Sequence, residues 1–183
     1  MYYRLSGDSE NFRNYVLSKS LSPQQRIQIE ESFNGTAQKD SYKPLNFYMT
    51  LATEKSYPIA DFTSGSLPIC SEKMKNILEK ICDKNDVEFL PCYLEGTNET
   101  YYIMHILCFV DCIDYEKSKF TTFKSTPDKI MFFDHIEFKE KVNKNLFKIK
   151  DLPFTYYFIS EKAKNILDSS DLKGLIIQDD LFK

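Results

Sequence analysis

A chain of 183 residues with 42% hydrophobic and 28% charged side chains has ordinary globular composition, and its length lets one domain bury about 70% of its unfolded surface without staples. A net charge of −3 argues against general nucleic-acid binding, which needs a basic surface, and five glycines leave little material for glycine-rich phosphate loops. No basic segment followed by an apolar stretch opens the chain, and the longest apolar run, Tyr101 to Val110, falls short of the roughly 20 residues that span a bilayer, so a cytoplasmic protein with five reduced thiols and no membrane association is expected.

In chain order, Tyr2-Tyr3-Arg4-Leu5 reads as a first strand. Ser22-Pro23-Gln24-Gln25 fits a capping box with proline at the first helical position, yet Ile27 and Ile29 alternate with polar residues. The balance tips toward a short strand ending in a turn at Asn34-Gly35. Residues 36–68 read as loops around short extended pieces, with Leu45 to Leu51 as a strand. Ser71 is placed to cap a helix running to about Cys82, whose Met74, Ile77, Leu78 and Ile81 share one face at helical spacing. Val87 to Leu94 and Tyr101 to Cys112 then form a hairpin about the turn Glu95-Gly96-Thr97-Asn98. The second of these strands is apolar on both faces, Tyr101, Ile103, Leu107 and Phe109 on one and Tyr102, Met104, Ile106 and Val110 on the other, so it belongs inside a sheet covered on both sides.

Lys129 to Phe133 reads as a further strand, followed by a charged helical turn near Glu137–Val142. Leu146 to Ile149 and Thr155 to Ile159 read as strands, Ser160 to about Asp168 as a helix, and Leu175-Ile176-Ile177 as the last strand. Ser71 to Leu78 recurs as Ser160 to Leu167 with seven of eight positions identical, 89 residues apart. Each copy follows and precedes an apolar strand-like stretch, and Ser71 and Ser160 are expected to be helix N-caps, each with a glutamate beside it that suits the positive helix start. The fold class expected is α+β: a mixed, mainly antiparallel sheet with two Ser-capped helices in strand–helix–strand units, all within a single domain of residues 1–183.

Catalytic signatures are missing: no P-loop, no dinucleotide fingerprint and no nucleophile elbow occurs, and neither cap serine has a histidine or acid partner in its motif. His105 lies in the apolar strand and is read as a partly buried residue rather than a base. Cys108 and Cys112, four apart on a strand, would lie roughly 13 Å from each other, too far to grip one zinc. No cofactor and no metal are expected. Charge is unevenly spread: residues 61–116 carry 4 basic and 11 acidic side chains, while residues 117–150 carry 9 and 4. Asp111, Asp114, Glu116 and Ser118, at the end of the long strand, form the candidate site, able to hold a basic partner group or a divalent ion, or to cap the turn that leaves the strand. Acidic charge there would steer a basic partner, with exposed Tyr and Phe near that edge as anchors.

Several segments, taken in order, resemble a known family. They are Ala60-Asp61-Phe62, Pro68-Ile69-Cys70-Ser71-Glu72-Lys73, Val87-Glu88-Phe89-Leu90-Pro91-Cys92, Tyr101 to Ile106, Asp111 to Ser118, Leu146 to Ile149, Ile159-Ser160-Glu161 and Leu172-Lys173-Gly174-Leu175. Together they look like the eleventh numbered family of predicted immunity proteins of bacterial polymorphic toxin systems, over about residues 60–180, with a looser match before residue 60. His105 stands where that family more often has Asn. The resemblance implies a cytosolic, non-enzymatic protein that neutralises a cognate toxin, encoded next door, by binding it. The alternatives carried forward are a metal-dependent hydrolase using Asp111 and Asp114, and a structural or assembly protein forming a homo-oligomer.

Overall fold

Residues 1–17, 21–50, 56–65, 67–139, 141–150 and 156–182 are described by the computed structural model. The chain begins with β1 (Tyr2–Gly7), β2 (Tyr15–Leu17), α1 (Pro23–Ser32) and β3 (Leu45–Met49). The middle holds β4 (Phe62–Thr63), β5 (Ile69–Ser71), α2 (Glu72–Ile81), β6 (Val87–Leu94), β7 (Tyr101–Ile106) and β8 (Phe109–Val110). Then come β9 (Lys119–Phe123), β10 (Thr126–His135), β11 (Leu146–Ile149), β12 (Tyr157–Ser160), α3 (Glu161–Asp168), β13 (Leu175–Gln178) and a closing 3₁₀ turn, Asp180–Phe182. Leu51 and Thr155, at the ends of two expected strands, lie outside the described residues.

The strands form a five-stranded sheet, β13-β1-β12-β11-β8, a six-stranded sheet, β2-β3-β6-β7-β5-β4, and a detached hairpin of β9 and β10. Pairing is antiparallel except between β3 and β6 and between β8 and β11, so the fold is α+β with mixed, mainly antiparallel sheets. Within this frame the strand–helix unit occurs twice. β4, β5, α2, β6 and β7 place four antiparallel strands in the order β6-β7-β5-β4. β11, β12, α3 and β13 make the same arrangement, β13-β1-β12-β11, with the amino-terminal strand β1 in the place that β7 takes in the first unit.

The two helices start alike. Ser71 Oγ accepts the Met74 N–H at 3.2 Å, and Ser160 Oγ accepts the Ala163 N–H at 3.2 Å. Each hydroxyl also donates: Ser71 to Asp61 Oδ1 at 2.5 Å, Ser160 to Asn145 Oδ1 at 2.7 Å. The acceptor in both cases is the residue just before the partner strand, and its carbonyl takes the serine's own N–H. The second side-chain atom of that residue reaches into the other unit. Asp61 Oδ2 accepts the Lys173 N–H at 2.8 Å, between α3 and β13, while Asn145 Nδ2 donates to the Ile81 carbonyl at the end of α2 at 2.5 Å. Residue type follows from this division: position 61 must accept twice, which a carboxylate does, and position 145 must accept once and donate once, which only an amide does. Gly174, at φ +77°, lets the chain lie against Ala60, where a Cβ would fall 2.4 Å from the alanine methyl.

Three apolar cores flank the sheets. One lies where Met74 and Leu78 of α2, Ala163 and Leu167 of α3, Leu5, Leu146 and Ile159 of the first sheet and Val87, Met104 and Ile106 of the second meet. A second packs Phe147, Ile149 and Phe158 against Ile113, Phe133 and Ile136. The third packs Phe47, Leu90, Leu94 and Ile103 against Leu17, Phe33 and Leu67. β7 is thus covered on both faces, Met104 and Ile106 facing the first core, Ile103 and Tyr101 the third.

Three expectations are corrected. Residues 23–32 are a helix, not a strand: Ser22 Oγ accepts the Gln25 N–H at 3.2 Å and Gln25 Oε1 accepts the Ser22 N–H at 2.9 Å, a complete capping box. No side chain of α1 is buried and Ile27 is exposed, so the alternation of Ile27 and Ile29 reflects no buried sheet face. The long strand expected from Tyr101 to Cys112 breaks at Leu107, because the N–H groups of Leu107 and Cys108 both donate to the Asp86 carbonyl, at 2.8 and 3.2 Å. The chain there leaves the six-stranded sheet and joins the five-stranded one as β8. The turn expected near Glu137–Val142 is not helical in its described part, Glu140 lying outside it: Phe138 bridges Ile113 and the Lys139 N–H donates to the Cys112 carbonyl at 2.8 Å.

Alternation along β11 also aims one charge inward. Lys148 is 5% exposed, its Nζ 4.7 Å from the centroid of the Tyr157 ring, and burial pushes its ammonium down to about 8. The π face offsets part of the desolvation.

Two predictions follow from these arrangements. Asp61→Asn and Asn145→Asp should each lower stability in chemical denaturation by about 1–3 kcal/mol, because each leaves like hydrogen-bonding groups facing one another, whereas Ser71→Ala and Ser160→Ala should each cost about 1–2 kcal/mol. Lys148→Met should raise stability at pH 7 by on the order of 3 kcal/mol, the cost of holding an ammonium that deprotonates near 8 instead of 10.5. The unfolded chain binds the extra proton between those values, so wild-type stability should climb as pH rises from about 8 toward 10.5, a rise that Lys148→Met lacks.

Candidate functional site

Residues 111–118 leave β8 and form the foot of the β9–β10 hairpin. Asp114 Oδ1 accepts the N–H groups of Glu116 and Lys117 at 3.2 and 3.3 Å, and Oδ2 meets Lys117 Nζ at 2.8 Å. That lysine, with the two backbone donors, holds the Asp114 carboxyl below the usual carboxylate range. Ser118 is buried, accepting the Glu137 N–H at 2.9 Å and donating to the Glu137 carbonyl at 3.3 Å. The Asp114 N–H also donates to Glu137, at 2.8 Å. Residues 112–118 and 137–139 are therefore laced together, and the hairpin rises from a clamped base. Asp111 is exposed, with Lys139 Nζ at 3.4 Å, and Glu116 is exposed.

The four residues singled out from the sequence thus lie along one foot but do different work. Asp114 and Ser118 spend their hydrogen bonds on the turn and the clamp, while Asp111 and Glu116 face outward. Asp111 and Asp114 each meet a separate lysine rather than converging, and among the described residues no three His, Cys, Asp or Glu side chains are arranged to hold a metal ion. Burial pushes the thiols up, Cys82 and Cys92 to about 12 and Cys108 to about 11, which suppresses the thiolates that a nucleophilic cysteine needs.

Above the foot, the hairpin carries four of the seven large apolar side chains that are exposed among the described residues: Phe120, Phe123, Met131 and Phe132. Its inner face is tied down. Phe133 is buried, Ile130 leans on the second core, and Phe120 packs edge-on against Phe133 and Tyr115 at centroid distances of 5.5 and 5.9 Å. The register pairs Phe132 with Thr121 and Phe123 with Thr126, so Phe123 and Phe132 occupy the opposite, outward face, at 41% and 40% exposure. Lys119, Lys124 and Lys129 rim this surface, and among the described residues none has a carboxylate within ion-pair distance. From the sequence β10 is legible in part, as Lys129 to Phe133, and β9 is not. The alternation of Phe120 and Phe123 with threonines and lysines was the signal available for it.

A second polar cluster lies away from this face. Glu88 Oε1 meets His105 Nδ1 at 2.6 Å and accepts the Gln38 N–H at 2.8 Å, while Oε2 accepts the Lys39 N–H at 3.2 Å. His105 is 3% exposed, packed against Phe33, and burial lowers its pKa below the ordinary value although Glu88 pulls the other way. The cluster pins the 38–39 loop to the sheet beside a cleft of about 980 Å³ lined by Lys39, Lys75, Glu79, Asp83 and Phe89.

The family model described as Immunity protein family (Imm11) matches residues 8–179 of the chain, so the match reaches well into the first sixty residues. No curated protein matches it.

The geometry separates the foot's structural from its exposed carboxylates. Asp114→Asn should lower the melting temperature measurably, since it removes the charge that Lys117 and the two backbone N–H groups hold at the turn. Glu116→Gln, measured in the same thermal scan, should leave it unchanged.

Proposed function

Because the chain belongs to the Imm11 immunity protein family, we propose that it binds the toxic domain of a cognate polymorphic toxin in the bacterial cytosol and neutralises it by occupying its surface. It does so without catalysing a reaction. Residues 1–183 act as one immunity-type domain, the toxin is encoded next door, and no cofactor takes part.

The observation that carries this reading is the clustering of exposed Phe120, Phe123, Met131 and Phe132 on one clamped hairpin. Large aromatic side chains held out from a rigid support are what protein interfaces use as anchors, because they bury much area at small entropic cost. Asp111 and Glu116 stand at the rim of the contact, and Asp114 and Ser118 hold its base. The acidic segment 61–116 adds long-range steering toward basic groups of the partner. Hydrolysis through Asp111 and Asp114 would need both carboxylates on one ion, and their separate lysines argue for the binding role instead. Among the described residues no helix is long and apolar enough to cross a membrane.

Co-expression with the toxic domain encoded beside it tests the proposal. The wild type should restore growth. Phe123→Ser combined with Phe132→Ser should lose rescue and weaken binding at least 100-fold, at an unchanged melting temperature, as truncated interface anchors do. Wild-type protein that fails to rescue, and forms no complex with that domain, would sink the proposal.

A further inference from the structure

The partner-binding reading above leaves open how the hairpin is gripped, and its unpaired edge answers that. We propose that the outer edge of β9 receives an extended strand of the partner, one that alternates acidic and apolar side chains, so that the hairpin becomes a three-stranded sheet. The proposal rests on the immunity reading for the identity of the partner, and on the hairpin alone for its chemistry.

β9 pairs with β10 on one side and with no other strand among the described residues. Among the described residues, no backbone hydrogen bond outside the hairpin involves residues 119–134. The far edge of β10 likewise has no strand beside it among the described residues, but directly after it the Ile136 N–H donates to the Leu181 carbonyl and the terminal turn covers that end. A strand edge of this kind presents a row of unmet N–H and C=O groups, which is a template for another strand. The clamp of Ser118 and Asp114 on Glu137 fixes β9 at its base, so little ordering entropy remains to be lost on pairing.

Side chains set what kind of strand fits. Phe123 and Phe132 offer apolar contact on the outward face. Lys119, Lys124 and Lys129 offer three cations with no carboxylate within ion-pair distance among the described residues, and they favour acidic groups on the incoming strand. A second copy of this chain would bring a second set of the same three cations to this edge, and like charge disfavours it as the occupant.

Hydrogen exchange with synthetic strands tests this directly. The probes are two capped octapeptides, alternating Glu-Val and alternating Lys-Val, added to the whole protein. The Glu-Val peptide should slow amide exchange within Lys119–Phe123 at least tenfold, and the Lys-Val peptide should leave it unchanged. Lys119→Glu with Lys124→Glu, at wild-type melting temperature, should reverse the preference. Equal effects of the two peptides, protection mapping to another strand, or protection of β9 that grows with protein concentration alone would each overturn the proposal. Growth rescue by the toxic domain's neighbour separates the two levels. If the doubly reversed variant neutralises that domain as well as wild type, strand addition is wrong and the immunity reading stands. If wild type fails to rescue while the Glu-Val peptide still protects β9, the edge chemistry stands and the immunity reading falls.

Discussion

The pair of side chains on which the rest of the fold leans is Asp61 with Asn145. Each holds the hydroxyl of its own unit's cap serine and, with its remaining atom, the backbone of the other unit. Every helix start leaves N–H groups that need partners, and a serine alone satisfies one. Here the serine is itself held, so the helix start, the strand before it and the opposite unit are fixed by one small network. Two strand–helix units locked in this reciprocal way share the apolar core between the sheets, and the chain can cross from β7 to β8 at one place, where the Asp86 carbonyl takes two consecutive N–H groups. That crossing aims residues 111–118 outward, and it puts the hairpin at the margin of the five-stranded sheet rather than inside it.

Periodicity made much of this legible. α2 and α3 were readable because Met74, Ile77, Leu78 and Ile81 and their repeat at Ile166 and Leu167 follow helical spacing behind a serine. β6, β11 and β13 were readable as short apolar runs. α1 was misread because its helix buries nothing: with no apolar face to repeat, Ile27 and Ile29 carried no structural information, and the capping box was the better guide. The break at Leu107 left no local mark, since its cause is a carbonyl twenty-one positions upstream. Nor could the braces be seen, because Asp61 and Asn145 precede their serines by different intervals, ten residues and fifteen.

Of the candidate foot at residues 111–118, the carboxylates were legible in the sequence and their contacts were not. Residues 111–118 stood out as a dense group of carboxylates, and they do lead to the exposed surface. Which of them are occupied depends on contacts with Glu137 and Lys139, more than twenty residues onward for Asp111 and Asp114, and such long-range partners leave no spacing signal. The exposed aromatics could not be told from core residues by type, because Phe133 is buried on the same hairpin where Phe123 and Phe132 face out. Buried polar groups are satisfied to different degrees. Glu88 is met by His105 Nδ1 and by a loop, while His105 Nε2 is buried without a hydrogen-bond partner among the described residues. Lys148 meets an aromatic face with no carboxylate within ion-pair distance among them, so the fold keeps a charged group at a standing cost.

That the hairpin is the face through which this immunity protein meets its partner is the claim on which the functional account turns. Hydrogen exchange of the chain alone and in complex with the toxic domain encoded beside it tests that claim most directly. The account predicts protection concentrated in residues 119–135 and the adjoining foot, with α3 and β13 unchanged. Protection centred on the cleft beside Glu88 and Lys75, with the hairpin exchanging as fast as in the free protein, would contradict it.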